Sequence, residues 1–438
     1  MNDPEGGNRE RRPSGVRGGR IYRRPEAKRP RVATLESIAA WMRGPALDIG
    51  SPIKLIDALC WRMVAAGLPV DRFGVTVAVL HPQFSGYSLR WWRDIAEAAE
   101  MLIEHQVYGS ETFLRSPFPP VVDRGEIVRV RIDPAAAAYP YPVIADLAAQ
   151  GYRDYVAMPL RLSSVAATGR VWRFQLCVFA TRREDGFRDD EIAAMGTIVD
   201  GLAAPLAVAT ERRKARDLLA VYLGPGVAPR VLSGEITRGS GESIHAAILT
   251  TDMRGFTPLT DRLPAERIVE LLDAWFDGQV RAVHAHGGEV LKFMGDGMLA
   301  IFPIGDIELA RDAARRALAA ARGALAWTRG LDRDPGFADA QPLRAVAALH
   351  VGEVFHGNIG GRDRLDFTAI GPAVNLVARL EALAKSLGRD LVLSARFAAL
   401  CDETLEPLGR HRLKGVAEAV EAYGCAADPP AAAARERG

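Results

Sequence analysis

Asp252 and Asp296 are the side chains of this sequence best placed to do chemistry. Asp252 closes the apolar run IHAAILTTD. Asp296 lies in GGEVLKFMGDGMLAIF, Gly287 to Phe302, between two runs that read as the strands of a hairpin. Alternation before the turn puts Val290, Lys292 and Met294 on one face and Leu291 and Phe293 on the other. Taken by itself Asp-Gly is a strong hairpin signal, so Asp296 needs no role beyond making the turn. The segment between the two aspartates suggests more. AERIVELLDAWFDGQVRAVHAHG carries Ile268, Leu271, Leu272, Trp275 and Phe276 on one helical face. In a strand-helix-hairpin unit the first strand lies beside the returning strand, so both carboxylates come to one end of the sheet. Alone they repel; they sit comfortably if they share hard cations such as Mg²⁺, which take oxygen ligands and keep substrate phosphates in their shell. Gly255, in DMRGFT, adds a flexible loop before a helix N-terminus whose free N–H groups suit phosphate.

The elements around this pair follow in order. A second helical pattern spans ELARDAARRALAAARGALAWTRG, a strand follows at LRAVAALHVG, and a third helix starts near GPAVNLVARLEALAKSLG. The pattern predicts an α+β sandwich of ferredoxin-like type, with its helices packed on one sheet face.

The remaining chain sets bounds. A length of 438 residues suggests two or three domains, and 48% apolar and 25% charged residues with a net charge of +2 describe a globular protein without an overall field for nucleic acid. The first 32 residues hold ten basic and four acidic side chains. Residues 1–33 are therefore expected to be a disordered basic arm, and 426–438 a disordered tail. No apolar run reaches the length of a membrane span, and the arm lacks the apolar segment of a secretion signal. Cys60, Cys177, Cys401 and Cys425 are far apart and form no zinc-type pair, which fits a reducing compartment and a cytoplasmic protein. Residues 34–210 read as a mixed α/β domain, in which Trp91 and Trp92 are taken as packing. Its end, DYVAMPLRLS with FQLCVFATRREDGFRDDEIAAMGTIVDGLAAPLA, resembles the closing strands and last helix of GAF-type sensor domains, which names no ligand. Residues 211–240 read as a helical linker broken by Gly and Pro, and 241–425 as the domain that holds the aspartates.

Three blocks in that last region carry a further resemblance. TDMRGFTPLTDRLP, GGEVLKFMGDGMLAIFP and RLDFTAIGPAVNLVARLE resemble, in order and spacing, the signature blocks of class III nucleotidyl cyclases, the adenylate and guanylate cyclase family. The resemblance implies a homodimer with active sites at the subunit interface, ATP or GTP as substrate, and two Mg²⁺ per site, which Mn²⁺ can replace. It implies that Asp252 and Asp296, with the Met253 backbone carbonyl, hold the metals. Lys292 and Thr368 match the purine-reading pair, Asn375 and Arg379 match the residues that position the ribose and stabilise the transition state, and Phe256 and Thr257 lie against substrate. Lys414, in RLKG, falls near the family's triphosphate-binding lysine. Thr368 departs from the Asp of many relatives and resembles a subgroup that still reads adenine, which makes adenylate cyclase the expectation. Guanylate cyclase and a catalytically silent nucleotide-binding module are the alternatives. A diguanylate cyclase is set aside, because GGE at Gly287–Glu289 precedes the strand instead of sitting at the hairpin tip.

Overall fold

Strands with apolar side chains on both faces mark the two sheets around which the chain folds. The structure is a computed structural model describing residues 16–107, 109–165, 171–172 and 174–425. It divides into two units, Met1–Leu218 and Leu219–Gly438.

The first unit is built from β1 (Val16–Arg23), α1 (Leu35–Arg43), α2 (Pro52–Ala65), β2 (Arg72–Ala78), β3 (Gly86–Trp92), β4 (Glu97–Ile103), α3 (Glu111–Leu114), α4 (Phe118–Arg124), β5 (Val128–Arg131), α5 (Pro142–Ala149), β6 (Asp154–Leu160), a small pair β7 (Ser164–Val165) and β8 (Val171–Trp172), and β9 (Gln175–Thr181). Its main sheet runs β1-β4-β3-β2-β9-β6-β5, with every neighbour antiparallel. One face buries Phe73, Val75, Leu89, Trp91 and Phe179 against α1, α2 and the long helix α6 (Asp189–Leu223). Trp91 meets Trp61 edge to face at 5.3 Å, as core packing. The other face carries Tyr155, Leu176 and Ala180 toward α3, α4 and α5.

Two expectations need correction here. Within the supposed disordered arm of residues 1–33, Val16–Arg23 forms strand β1 on the edge of this sheet, paired with β4; residues 1–15 and the expected tail, 426–438, lie outside the described residues. Backbone pairing needs no apolar side chain, and the arm's charges find acidic partners on β4 and just beyond it: Arg23 meets Glu97 at 2.8 Å and Arg17 meets Glu104 at 2.6 Å. The second concerns α6, which contains an 18-residue stretch of mean hydropathy 1.7, long and apolar enough by composition to cross a membrane. Reading the chain for uninterrupted apolar runs misses it, because Asp200 stands in the middle. Met195, Ile198, Val199, Leu202, Leu206 and Ala209 of α6 are buried in the first unit's core, as in a core helix. The helix also runs straight through the boundary expected at residue 210.

The second unit contains α7 (Val227–Leu232), β10 (Gly241–Arg254), α8 (Phe256–Arg262), α9 (Ala265–Ala285), β11 (Glu289–Met294), β12 (Gly297–Ile304), α10 (Ala310–Leu331), β13 (Arg344–Gly360), β14 (Leu365–Ile370), α11 (Pro372–Ser386), β15 (Leu391–Ser394), α12 (Ala395–Ala398), β16 (Leu405–His411) and β17 (Val420–Cys425). Its sheet order is β11-β12-β10-β13-β15-β17-β16, with β14 paired to β13. The first four strands of that order are the predicted βαββαβ arrangement, and β10 lies between β12 and β13. The helices do not share one face. Ala247, Leu249, Met298 and Phe302 face α9 and α10, whereas Ala246, Ile248, Leu299 and Val346 face α11 through Val377, Leu380 and Ala384. Both faces of β10 are apolar, so both need cover, and this makes the unit three-layered.

Candidate active site

The α11 face of the sheet ends in charge. Strand alternation puts Asp252 on that face, and it pairs with Gly297, the residue after Asp296. The hairpin loop is Gly295-Asp296, closed by the Met294–Gly297 pair. Gly295 supplies the positive φ, 65°, so the turn is Gly-Asp instead of the expected Asp-Gly, and Asp296 keeps an ordinary backbone. Gly297 sits close to its neighbours: a Cβ there would stand 3.3 Å from the Met294 and Thr251 carbonyl oxygens and 3.4 Å from an Asp252 carboxylate oxygen.

Burial pushes the Asp296 carboxyl above the usual aspartate range, and the Asp252 charge pushes it further. Backbone N–H groups of Asp296 and Met253, and the Lys385 ammonium, work the other way. The two carboxylates are thus close enough to feel each other, as the sequence requires of a shared cation site. Their donor atoms are hard oxygens, which suit Mg²⁺ or Mn²⁺. Among the described residues no three His, Cys, Asp or Glu side chains gather to hold a metal without help, so a cation held by this pair would complete its shell with other oxygens.

Two residues on α11 that sequence reasoning passed over belong to this cluster. Lys385 Nζ lies 2.5 Å from Asp252 Oδ1 and 3.1 Å from Glu381 Oε1. Burial opposes the charge on Lys385, but Asp252 and Glu381 together outweigh it and raise its pKa. Burial, then the Asp252 charge, raises Glu381. The only sequence signal was their i,i+4 spacing, which reads as an ordinary helix-surface pair.

Lys292 also reaches the α11 face, by a route alternation does not predict. The β11–β12 register slips between Val290 and Lys292, making Leu291 the extra residue of a β-bulge. Val290 and Phe293 therefore point to the α9 side, the Phe293 ring lying tilted against Phe276 at 4.3 Å between centres, while Leu291 and Lys292 both point to the α11 side. Lys292 thus does not share a face with Val290, as the alternating pattern implied. Thr368 lies on β14, opposite Gly357 of β13, and β14 comes alongside β11. It is 4% exposed, and its hydroxyl has no hydrogen-bond partner among the described residues.

Other expected residues stay apart within one chain. Asn375 and Arg379, one turn apart on α11, are exposed on the side away from Ala373, Val377, Leu380 and Ala384, and no hydrogen bond or ion pair among the described residues links either to the aspartates. Lys414 is exposed in the turn between β16 and β17, the strand pair at the far edge of the sheet from β11. Phe256 and Thr257 open α8 directly after Gly255, whose φ is 70°; Phe256 packs partly into the α9 core and Thr257 is exposed. The Met253 side chain is buried.

Nucleotide cyclases and uncharacterized bacterial proteins are among the known proteins to which this chain is similar. It is 31% identical over 177 residues to adenylate cyclase 1 of Rhizobium meliloti, covering 40% of this chain and 26% of that protein. It is 35% identical over 212 residues to an uncharacterized protein of Mycobacterium tuberculosis, covering 48% of this chain and 37% of that protein. The chain thus spans well under half the length of these curated relatives. Among solved structures, a bacterial light-regulated adenylyl cyclase matches at 29% identity with TM-score 0.37, over 42% of this chain and 91% of that one. The guanylyl cyclase Cya2 matches at 28% identity with TM-score 0.37, over 42% and 92%. No family model matches the chain.

Proposed function

We propose that the second unit is the catalytic domain of an adenylate cyclase, converting ATP to 3′,5′-cyclic AMP and pyrophosphate, and that the first unit regulates it. The observation that carries this reading is the meeting of Asp252 and Asp296 at one sheet end, with the β11 bulge turning Lys292 to the same face. The similarity to the Rhizobium adenylate cyclase supports it. Asp252, Asp296 and the Met253 carbonyl would hold two Mg²⁺, which when bound neutralise phosphate charge and make the ribose 3′-hydroxyl easier to ionise.

The chain's own groups do the rest. Lys292 donates to adenine N1, and the Thr368 hydroxyl, buried with no partner among the described residues, accepts from the 6-amino group; guanine offers a donor and an oxygen at those positions. Asn375 holds the ribose so that its 3′-oxygen lies in line with the α-phosphorus. Arg379 places a cation where negative charge builds as pyrophosphate leaves, and Phe256, Thr257 and Lys414 bind the substrate around it. Asn375 and Arg379 stand on the outer side of α11, away from their own aspartates, so the reading requires a homodimer in which each site takes its aspartates from one chain and its Arg from the other. Such a reaction belongs in the cytoplasm, where ATP is.

Incubation of the purified chain with Mg-ATP or Mg-GTP, and with Mn²⁺ in parallel, followed by nucleotide chromatography, tests this. Cyclic AMP from ATP is expected. Cyclic GMP alone would replace it with a guanylate cyclase, and nucleotide binding without turnover would leave a silent regulatory module. The double variant Lys292→Glu, Thr368→Cys should lose ATP turnover sharply; an unchanged ATP preference would remove both residues from base reading.

A further inference from the structure

The ladder on one side of β10 stops short of the strand's end. Its last pair with β12 joins Asp252 to Gly297, and beyond it Met253 and Arg254 have only β13 beside them, opposite Ala345 and Arg344. Gly255 follows with a φ of 70° and turns the chain into α8. A strand end held along one edge, next to a glycine turn, is where local opening costs least. Yet this end carries groups on which the metal reading depends: the Asp252 carboxylate, the Met253 carbonyl, and the Met253 N–H, which donates to the Asp296 carboxylate.

The Arg254 side chain reaches from this strand end to the end of α11. Alternation puts it on the α11 face with Asp252. There its Nη2 donates to the Ala384 carbonyl at 3.1 Å and to the Arg389 carbonyl at 2.6 Å. The last carbonyls of a helix have no partner within it. At this end the Arg389 N–H returns to the Ala384 carbonyl at 3.0 Å, past Gly388 with a φ of 67°, and Arg254 adds a second donor to the same oxygen. Burial and Arg344 oppose the guanidinium charge, and the Asp390 carboxylate attracts it from beyond ion-pair distance. Its Nε is buried with no partner among the described residues. What the side chain gains is two backbone carbonyls, and with them a fixed spacing between strand and helix. One residue along the helix, Lys385 holds Asp252 at 2.5 Å. Asp252 and Arg254 thus grip successive residues of α11, the first through the Lys385 side chain and the second through the Ala384 backbone.

We propose that Arg254 is a positioning residue for the metal site: bridged to Ala384 and Arg389, it fixes the peptide groups on either side of Met253 and, through them, the Asp252 carboxylate and the Met253 carbonyl. The proposal rests on the reading of Asp252 and Asp296 as metal ligands. Its sign is distinctive. A guanidinium near a bound cation repels it, so if Arg254 acted by charge its removal would tighten metal binding. Removing a residue that orients the ligands weakens binding instead, by about 10–100-fold.

Mn²⁺ titration of the full chain without nucleotide, followed by electron paramagnetic resonance at a temperature below the unfolding of every variant, tests it. Arg254→Met should weaken Mn²⁺ about tenfold or more. Arg254→Lys keeps the charge on a stem too short to bridge both carbonyls, and should be weakened as well. Arg267→Met is the reference for a purely structural loss: it removes contacts to Asp339 and to the Gly336 carbonyl, and should lower the thermal midpoint with Mn²⁺ affinity unchanged. Hydrogen exchange at the Met253, Arg254 and Gly255 amides should quicken in Arg254→Met and not in Arg267→Met. Unchanged or tighter Mn²⁺ binding in Arg254→Met, or wild-type affinity in Arg254→Lys, would overturn the role while leaving the metal reading in place. Wild-type chain that binds Mn²⁺ no better than Asp252→Ala would bring down the metal reading, and this role with it.

Discussion

Asp296 is held in a place that disfavours its charge. Burial and the Asp252 carboxylate raise its pKa in the fold, so the folded chain binds that proton more tightly than the unfolded one. Stability therefore falls as pH rises from the ordinary aspartate range through the raised value, and stays lower above it. Asp296→Asn should unfold at a higher temperature than wild type at pH 8 without divalent ions, the gain shrinking toward pH 4, and should have no turnover. A lower midpoint for the variant at pH 8 would show that the local field is not as read. Lys385 gives a second expectation. Its ammonium sits on Asp252, so any cation that binds Asp252 meets a competing charge. Lys385→Met should tighten Mn²⁺ binding, followed by electron paramagnetic resonance without nucleotide, by up to about fivefold, the size of a part-exposed ion pair. Weaker binding would mean that Lys385 positions Asp252 instead of competing for it. The aspartates were legible in the sequence because a strand end and a glycine turn flank them. Glu381 and Lys385 were not, since an i,i+4 pair looks the same on any helix surface.

Among the elements, strand and helix order was readable from periodicity, and what periodicity omits is where the reading failed. A bulge at Leu291 adds one residue without changing composition, so alternation grouped Lys292 with Val290, which faces the other way, and separated it from Leu291, which shares its face. Which sheet face a helix covers depends on connection geometry, and α11 went to the opposite side from α9 and α10. Edge pairing of β1 was hidden because an arginine-rich strand has no apolar pattern. The α9–α10 contact offers a stability test. A Cβ on Gly278 would come 1.9 Å from the Trp327 indole, so Gly278→Ala must push that ring aside and should cost about 1–3 kcal/mol in chemical denaturation. Gly323, on α10, has its nearest neighbour, Ala282 Cβ, at 3.4 Å, and Gly323→Ala should stabilise by about 0.5–1 kcal/mol. Equal effects would mean that the helices are not packed through Gly278.

For the whole molecule, the proposed dimer makes a prediction no single chain can. Asp252→Ala and Arg379→Ala should each be inactive alone, yet mixing them should restore up to about a quarter of wild-type turnover, because half of randomly formed pairs are mixed and each mixed pair keeps one intact site. If subunit exchange is demonstrated and the mixture stays inactive, the sharing of sites between chains is wrong. α11 complicates this arithmetic in a revealing way. One side of the helix holds Glu381 and Lys385 beside its own Asp252, and another carries Asn375 and Arg379 outward, while Val377 seats both on the sheet. In the two-chain arrangement a badly seated α11 harms the site of its own chain through Asp252 and its neighbour's through Arg379. Lesions at the aspartates or the arginine are recessive to one another, whereas Val377→Ala is expected to be dominant: co-expressed in equal amounts with wild type, it should leave intact only the pairs with two wild-type chains, about a quarter of the total.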